Sequence, residues 1–231
     1  MYFEGRTHAG KILADEVARD YAGQPCAVVA LSPGGVMVGL QVAAALKSVI
    51  CFLLADSIDI PNEPDPIGSI SETGSFTYNK AYSTGQIDEM LSDYRGYVED
   101  EKRVSLSHLH QLAGAGTAVQ PSLLVGKHVI LVSDGFADGN ALDIAVDFLK
   151  PLKVLSTVIA TPVASTAAVD RMHVLADKIY CLNVADNFLD TEHYYERHDV
   201  PSREDAVEVI EEILANWREP GTGPAGLQEV V

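Results

Sequence analysis

Apolar residues along this chain follow two spacings in turn. Short aliphatic and β-branched runs, at 26–31 (CAVVAL), 49–55, 129–132 (VILV), 153–160 and 178–182, have the length of buried strands. Between them apolar residues recur every three or four positions, the period of a helix face. Ile12, Leu13, Val17, Ala18 and Tyr21 mark a helix over 10–22, closed by Gly23 and Pro25. Residues 36–48 predict a second helix, after a tight turn at Ser32-Pro33-Gly34-Gly35. Residues 85–111 predict a long polar helix with Ile87, Met90, Leu91, Tyr94, Val98 and Val104 turned inward. Further helices are predicted over 140–150, 165–176 and from Ser202 to about 217, the last with Ser202 as N-cap and Asp205 at the capping-box position. Strands alternating with helices predict parallel pairing with helices on both faces. The expected class is α/β, a Rossmann-like, mostly parallel sheet of about five strands.

Three stretches break the rhythm. Residues 56–79 are rich in Pro, Gly, Asp, Ser and Glu, and within them 67–70 and 75–78 flank Glu72-Thr73-Gly74. That pattern predicts a β-hairpin, and the insertion at 56–80 is expected to form a flap over the carboxyl ends of the strands. Residues 113–122 are small and predict a mobile loop, and 185–200, with Tyr194-Tyr195, a lid or edge. A single domain over 1–218 is expected, followed by a tail without structure at 219–231, where Pro-Gly-Thr-Gly-Pro occurs.

Charge narrows the range of partners. The 33 acidic residues outnumber the 16 basic ones, for a net charge of −17. Such a surface repels nucleic acid and anionic membranes, and neither is expected as a partner. The apolar run at 48–55 is only strand length, and the opening MYFEGRTHAGK has no apolar signal core. Cys26, Cys51 and Cys181 each fall in a strand-like run and no CxxC occurs, which predicts reduced, buried thiols in a cytoplasmic protein.

The stretch most suggestive of chemistry is 127–142, KHVILVSDGFADGNAL. A strand turns at Ser133-Asp134-Gly135, passes Gly139 and becomes helical at Asn140. A strand, a glycine-containing loop and a helix N-terminus together can present backbone N–H groups to an anion. The expected contacts are Asp134, Gly135, Phe136, Ala137, Asp138, Gly139 and Asn140, with Gly34 and Gly35 forming the facing turn. Asp134 and Asp138 conflict with that role, because a phosphate cradle should be neutral or positive. They are also candidate metal ligands, with Asp56, Asp59, Glu63 and Asp65 of the flap as possible companions, although no EF-hand spacing is present. His193 and His198 are five apart, a poor spacing for one helical face, and no histidine is placed to activate Ser32 or Ser133.

These motifs, in order, resemble the type I phosphoribosyltransferases, and among them a bacterial stand-alone group. Phe3-Glu-Gly-Arg6 with Ala9-Gly10 and Leu13-Ala14, then Ala30-Leu-Ser-Pro-Gly-Gly-Val36, look like that group's first two motifs. Pro61-Asn-Glu-Pro64 with Ile67-Gly68 is similar to its flap, and Val132-Ser-Asp-Gly-Phe-Ala-Asp-Gly139 stands where its diphosphoribosyl-binding loop belongs. Thr161-Pro-Val163 and Ile179-Tyr-Cys-Leu182 resemble its last strands. The resemblance implies a five-stranded parallel sheet with a hood, transfer of a 5-phosphoribosyl group to or from a base with Mg²⁺, and dimers in many relatives. Several positions depart from it. Pro33 replaces the arginine of the diphosphate loop, Asp56-Ser57 the basic pair, Ser133 the first ribose-binding acid and Asp138 the cradle threonine. The loop at 113–121 lacks its cation. Three readings remain open: a non-catalytic binding or structural subunit with an impaired diphosphate site, an active Mg²⁺-dependent transferase, or an acidic pocket for a metal or cationic ligand. The ligand or protein partner is not named by the sequence.

Overall fold

A computed structural model of the chain describes residues 2–113 and 119–216. The first half runs α1 (Arg6–Tyr21), β1 (Cys26–Ala30), α2 (Pro33–Leu46) and β2 (Val49–Phe52). Next come β3 (Ala55–Ile58), β4 (Gly68–Ser71), β5 (Phe76–Tyr78) and the long α3 (Thr84–Ala113). The second half is β6 (His128–Val132), α4 (Asn140–Leu149), β7 (Ser156–Ser165), α5 (Thr166–Leu175), β8 (Lys178–Ala185) and α6 (Arg203–Asn216).

The main sheet has the order β2-β1-β6-β7-β8 and every pairing in it is parallel. β1, β2, β6 and most of β7 are buried on both faces, so their sequences read as continuous apolar runs rather than alternations, whereas the edge strand β8 is half-buried. Val28, Ala30, Ile50, Ile130 and Val132 pack to one side with α1, α2 and α6, where Leu13, Val42 and Ile210 are buried. Val29, Cys51, Leu131 and Ile159 pack to the other with α4 and α5, where Phe148 and Met172 are buried. The predicted site residues lie just past the carboxyl ends of β1 and β6, where the chain leaves the sheet. Gly10 lets α1 approach α2: a Cβ there would sit 2.9 Å from the Val38 carbonyl oxygen.

The flap is a three-stranded antiparallel sheet, β3-β4-β5, here called the hood. The expected hairpin is present, with Gly74 at φ +79° in its turn, a conformation that favours glycine. The predicted strand 49–55 is in fact two. After Leu54 the chain leaves the main sheet, and Ala55–Ile58 pairs with β4 instead. This third hood strand was not anticipated, because Ala-Asp-Ser-Ile carries too little apolar signal. Thr77 Oγ1 donates to Asp147 Oδ2 at 2.8 Å, and Arg203 Nη1 to Asp56 Oδ1 at 2.5 Å, fastening the hood to α4 and α6.

Several expectations need correction. The first helix begins at Arg6, not residue 10, so its buried stripe is Arg6, Ala9, Gly10, Leu13, Ala14, Val17 and Tyr21. Ser32 to Gly35 is not a separate turn: Ser32 caps α2 and Pro33 opens its first turn. Val104 is 64% exposed, whereas Val98 and Leu109 are buried. Eleven residues bring a helix back to nearly the same face, and six do not. Cys26, Cys51 and Cys181 are free thiols, but only the first two are fully buried; Cys181 lies on the edge strand β8 and is half-buried. The reciprocal box at Ser202 and Asp205 is present, with Asp205 N donating to Ser202 Oγ at 3.0 Å and Ser202 N to Asp205 Oδ2 at 3.3 Å. Among the described residues no helix is long and apolar enough to cross a membrane. Residues 114–118, half of the small-residue loop expected over 113–122, and the tail expected at 219–231 lie outside the described residues.

Leu131 lies fully buried on the central strand β6. Leu131→Ala is expected to lower the unfolding free energy by about 2–5 kcal/mol. Urea denaturation should show this as a lower midpoint with an unchanged slope.

Candidate functional site

The loop after β6 is held in place by the strand beside it. β7 runs on past the end of β6, and its last residues pair with the loop. Phe136 N donates to Val163 O at 3.1 Å, Ser165 N to Phe136 O at 2.9 Å, and Ser165 Oγ to Ala137 O at 2.7 Å. Ser165 Oγ also accepts from Ala168 N at 3.0 Å, capping α5. Phe136 is buried in the core, and the strap leaves Ala137 and Asp138 as the exposed tip.

Beneath the loop lies a fully buried arginine. Arg6 Nε donates to Asp134 Oδ2 at 2.8 Å and Nη1 to Asp199 Oδ1 at 2.9 Å, while Nη2 pairs with Glu192. Its guanidinium stacks on the Tyr195 ring, 4.4 Å from the centroid. Burial alone would lower the Arg6 pKa. The charge and hydrogen bond of Asp134, with Asp199 and Glu192, reverse this, so the net shift is upward. The Tyr195 hydroxyl is shifted up by burial first and by Asp134 second, and it donates to the Asp134 carbonyl oxygen at 2.6 Å. The other Asp134 oxygen accepts from Ser32 Oγ at 2.6 Å. Ser32 Oγ in turn accepts from Gly35 N at 2.9 Å. A Cβ on Gly34 would collide with the Asp134 carboxylate and stand 2.5 Å from Arg6 Nε. The Asp134 carboxylate thus lies against the N-terminus of α2, a favourable place for a negative charge.

The open cavity of this region, about 390 Å³, lies between the hood and the starts of α4 and α5. Asp65, Asn79 and Lys80 line it from the hood side, and Asp138, Asn140 and Arg171 from the other. Asp138 Oδ1 accepts from Asn140 N at 2.9 Å, so a carboxylate already caps the first turn of α4. Arg171 makes a forked pair with Asp143, its Nε 3.1 Å from each carboxylate oxygen. Its side chain lies over Gly139, where a Cβ would collide with Arg171 Cγ.

The predicted site residues therefore separate into two groups. Asp138, Gly139 and Asn140 line the cavity. Asp134 does not. It is buried below, with both carboxylate oxygens engaged. Gly34 packs against it and Gly35 against Ser32 and the Val132–Ser133 backbone rather than forming a facing turn, and Gly135 packs against Thr191. The acidic companions proposed for a metal do not assemble: Asp56 is tied to Arg203, and of the flap acids only Asp65 lines the cavity. Among the described residues no group of three or more His, Cys, Asp or Glu could hold a metal ion. His193 Nε2 meets Tyr2 Oη at 3.0 Å, and His198 Nδ1 meets Glu192 Oε2 at 2.7 Å. Sequence reasoning did not anticipate Arg6, Tyr195, Lys80 or Arg171 as parts of the site. Arg6 was within reach: seven residues before Leu13, it shares that residue's helix face.

Comparison with known proteins bears on this geometry. No family model matches the chain. It is 25% identical over 221 residues to Mycobacterium tuberculosis proteins that bear, provisionally, the name phosphoribosyl transferase, in strains CDC 1551 / Oshkosh and H37Rv. The match covers 95% of this chain and 48% of those proteins, so the chain spans about half the length of these relatives. Among solved structures, TT1426 from Thermus thermophilus superposes with a TM-score of 0.71 at 25% identity, over 92% of this chain and 99% of that one. The fold is that of the type I phosphoribosyltransferases: five parallel strands flanked by helices, with an antiparallel hood.

Arg6 neutralises buried Asp134, so its loss should be costly. Arg6→Met is expected to reduce stability by about 3–5 kcal/mol, because it strands a buried charge. Arg6→Met combined with Asp134→Asn should lose less than Arg6→Met alone. A urea-unfolding cycle on the four proteins measures the coupling.

Proposed function

We propose that this chain is a phosphoribosyltransferase-like domain that acts as a non-catalytic binding or structural unit and does not turn over 5-phosphoribosyl-1-diphosphate. The observation that carries this reading is the occupancy of its two helix N-termini. Asp138 accepts the first amide of α4, and Asp134 stands at the start of α2, where Ser32 Oγ donates to it and itself takes the Gly35 amide. Helix N-termini attract one anion, and here that anion is covalently attached. A phosphate brought within about 4 Å of Asp138 meets a repulsion of about 4 kcal/mol at an effective dielectric near 20. The helix dipole offsets only about 0.3–1 kcal/mol of that. Asp134 is also unavailable to ribose hydroxyls or to Mg²⁺ while Arg6 and Ser32 hold it.

One observation favours a second reading, an active transferase: Lys80 and Arg171 line the same cavity as the loop. They supply cations from the hood and α5, whereas the resemblance places them in the loops. Arg171 is committed to Asp143, and Asp65 and Asp138 outweigh Lys80, which is why the non-catalytic reading is preferred.

Calorimetric titration with 5-phosphoribosyl-1-diphosphate, with and without Mg²⁺, separates the two readings. No heat is expected at millimolar ligand. Micromolar binding, about −8 kcal/mol, with turnover of any nucleobase would overturn the proposal. Asp138→Thr and Asp138→Asn should bind inorganic phosphate at least about tenfold more tightly than the wild type, since each removes the repulsive charge. Affinities equal to wild type would remove the electrostatic basis of this reading.

A further inference from the structure

Glu72 is a buried acid that the crevice does not use. It follows β4 at the start of the hood turn and is 4% exposed. Its Oε1 accepts from the backbone N–H of Val119 at 2.8 Å, on the segment that leads toward β6. Its Oε2 is buried without a hydrogen-bond partner. Its own N–H donates to Leu54 O at 2.9 Å, where the chain leaves the main sheet for the hood. Its carbonyl oxygen meets His110 Nε2 at 2.8 Å, from the last turn of α3. One residue thus joins the hood turn, the exit from β2, the end of α3 and the approach to β6.

We propose that Glu72 is a proton-operated latch: protonated, it keeps the hood turn docked on the segment before β6, and its ionisation favours release. The half-satisfied geometry is the basis. A buried carboxyl with one oxygen unpaired tolerates the neutral form and resists the charged one. Burial accordingly pushes the Glu72 carboxyl up to about 7, against the opposing effects of the Val119 and Leu54 backbone and of His110. The other titratable groups facing it are His110 on α3 and the Cys51 thiol on β2. Burial pushes that thiol up to about 12, so it stays neutral. In an open form that hydrates Glu72, its pKa returns toward the ordinary 4.5. The docked form is therefore fully favoured below about pH 4.5 and loses ground as pH rises through about 7. Between pH 6 and 8 the opening equilibrium should rise about tenfold. Thr77–Asp147 and Arg203–Asp56 hold the rest of the hood, so release is confined to the turn.

This inference does not depend on whether the crevice is catalytic. Amide hydrogen exchange on the full chain at pH 6 and 8, corrected for intrinsic exchange, tests it. Protection of the Val119 amide should fall about tenfold in the wild type. It should not change with pH in Glu72→Gln, whose carboxamide keeps the acceptor and carries no charge. Glu63→Gln, at an exposed hood position, should behave as wild type. Unchanged wild-type protection, or the same fall in Glu72→Gln, would overturn the latch. If Glu72→Gln does not fold, carbon-13 titration of the wild-type Glu72 carboxyl decides instead, and an apparent pKa below about 5 sinks the idea.

Discussion

A buried cation organises this molecule. Arg6 enters from the first turn of the first helix and collects Asp134 from the loop after β6, with Glu192 and Asp199 from the segment after β8. A guanidinium in such a place needs its donors met and its charge answered, and three carboxylates do both. In return, distant parts of the chain are held in one arrangement. Tyr195 completes the unit by lying under the guanidinium and donating to the Asp134 carbonyl. The crevice floor follows from this constraint, because the loop cannot rearrange without exposing or stranding a charge.

The same constraint shapes the electrostatics. An α/β crevice ordinarily gains its anion affinity from helix N-termini at the strand ends. Here the arrangement of helices is kept and the charges are internal. Asp138 accepts the Asn140 amide and Asp134 accepts from Arg6 and Ser32, and a soluble anion competing for those positions faces a tethered rival at very high effective concentration. The cations that could oppose this come from outside the loops, at Lys80 and Arg171, and one of them is already paired.

Much of the architecture was legible in the chain. The alternation of strand-length runs and helical stripes anticipates all five strands of the main sheet, and Gly74 with its flanking residues anticipates the hairpin. Where reading failed, the cause was long-range. Ala55–Ile58 becomes a strand only because β4 lies beside it. β7 extends to Ser165 because β8 pairs with it on one side and the loop after β6 offers Phe136 on the other. Asp134 reads locally as a ligand contact, and its real partner is 128 residues away. A charged residue on an apolar stripe, as at Arg6, is the kind of local anomaly that signals such a pairing, although it does not name the partner.

The glycines of the loop region bear on how such domains are recognised. Gly34 makes room for the Asp134–Arg6 pair, Gly35 for Ser32 and Ser133, and Gly139 for the stem of Arg171. None of these requirements involves a bound molecule. A lineage that lost its substrate would still be obliged to keep glycine at all three, because any larger side chain would collide with the protein's own interior. The signature by which a nucleotide-handling loop is usually detected can therefore outlive the chemistry that first favoured it, and in this fold it reports packing at least as directly as it reports a ligand.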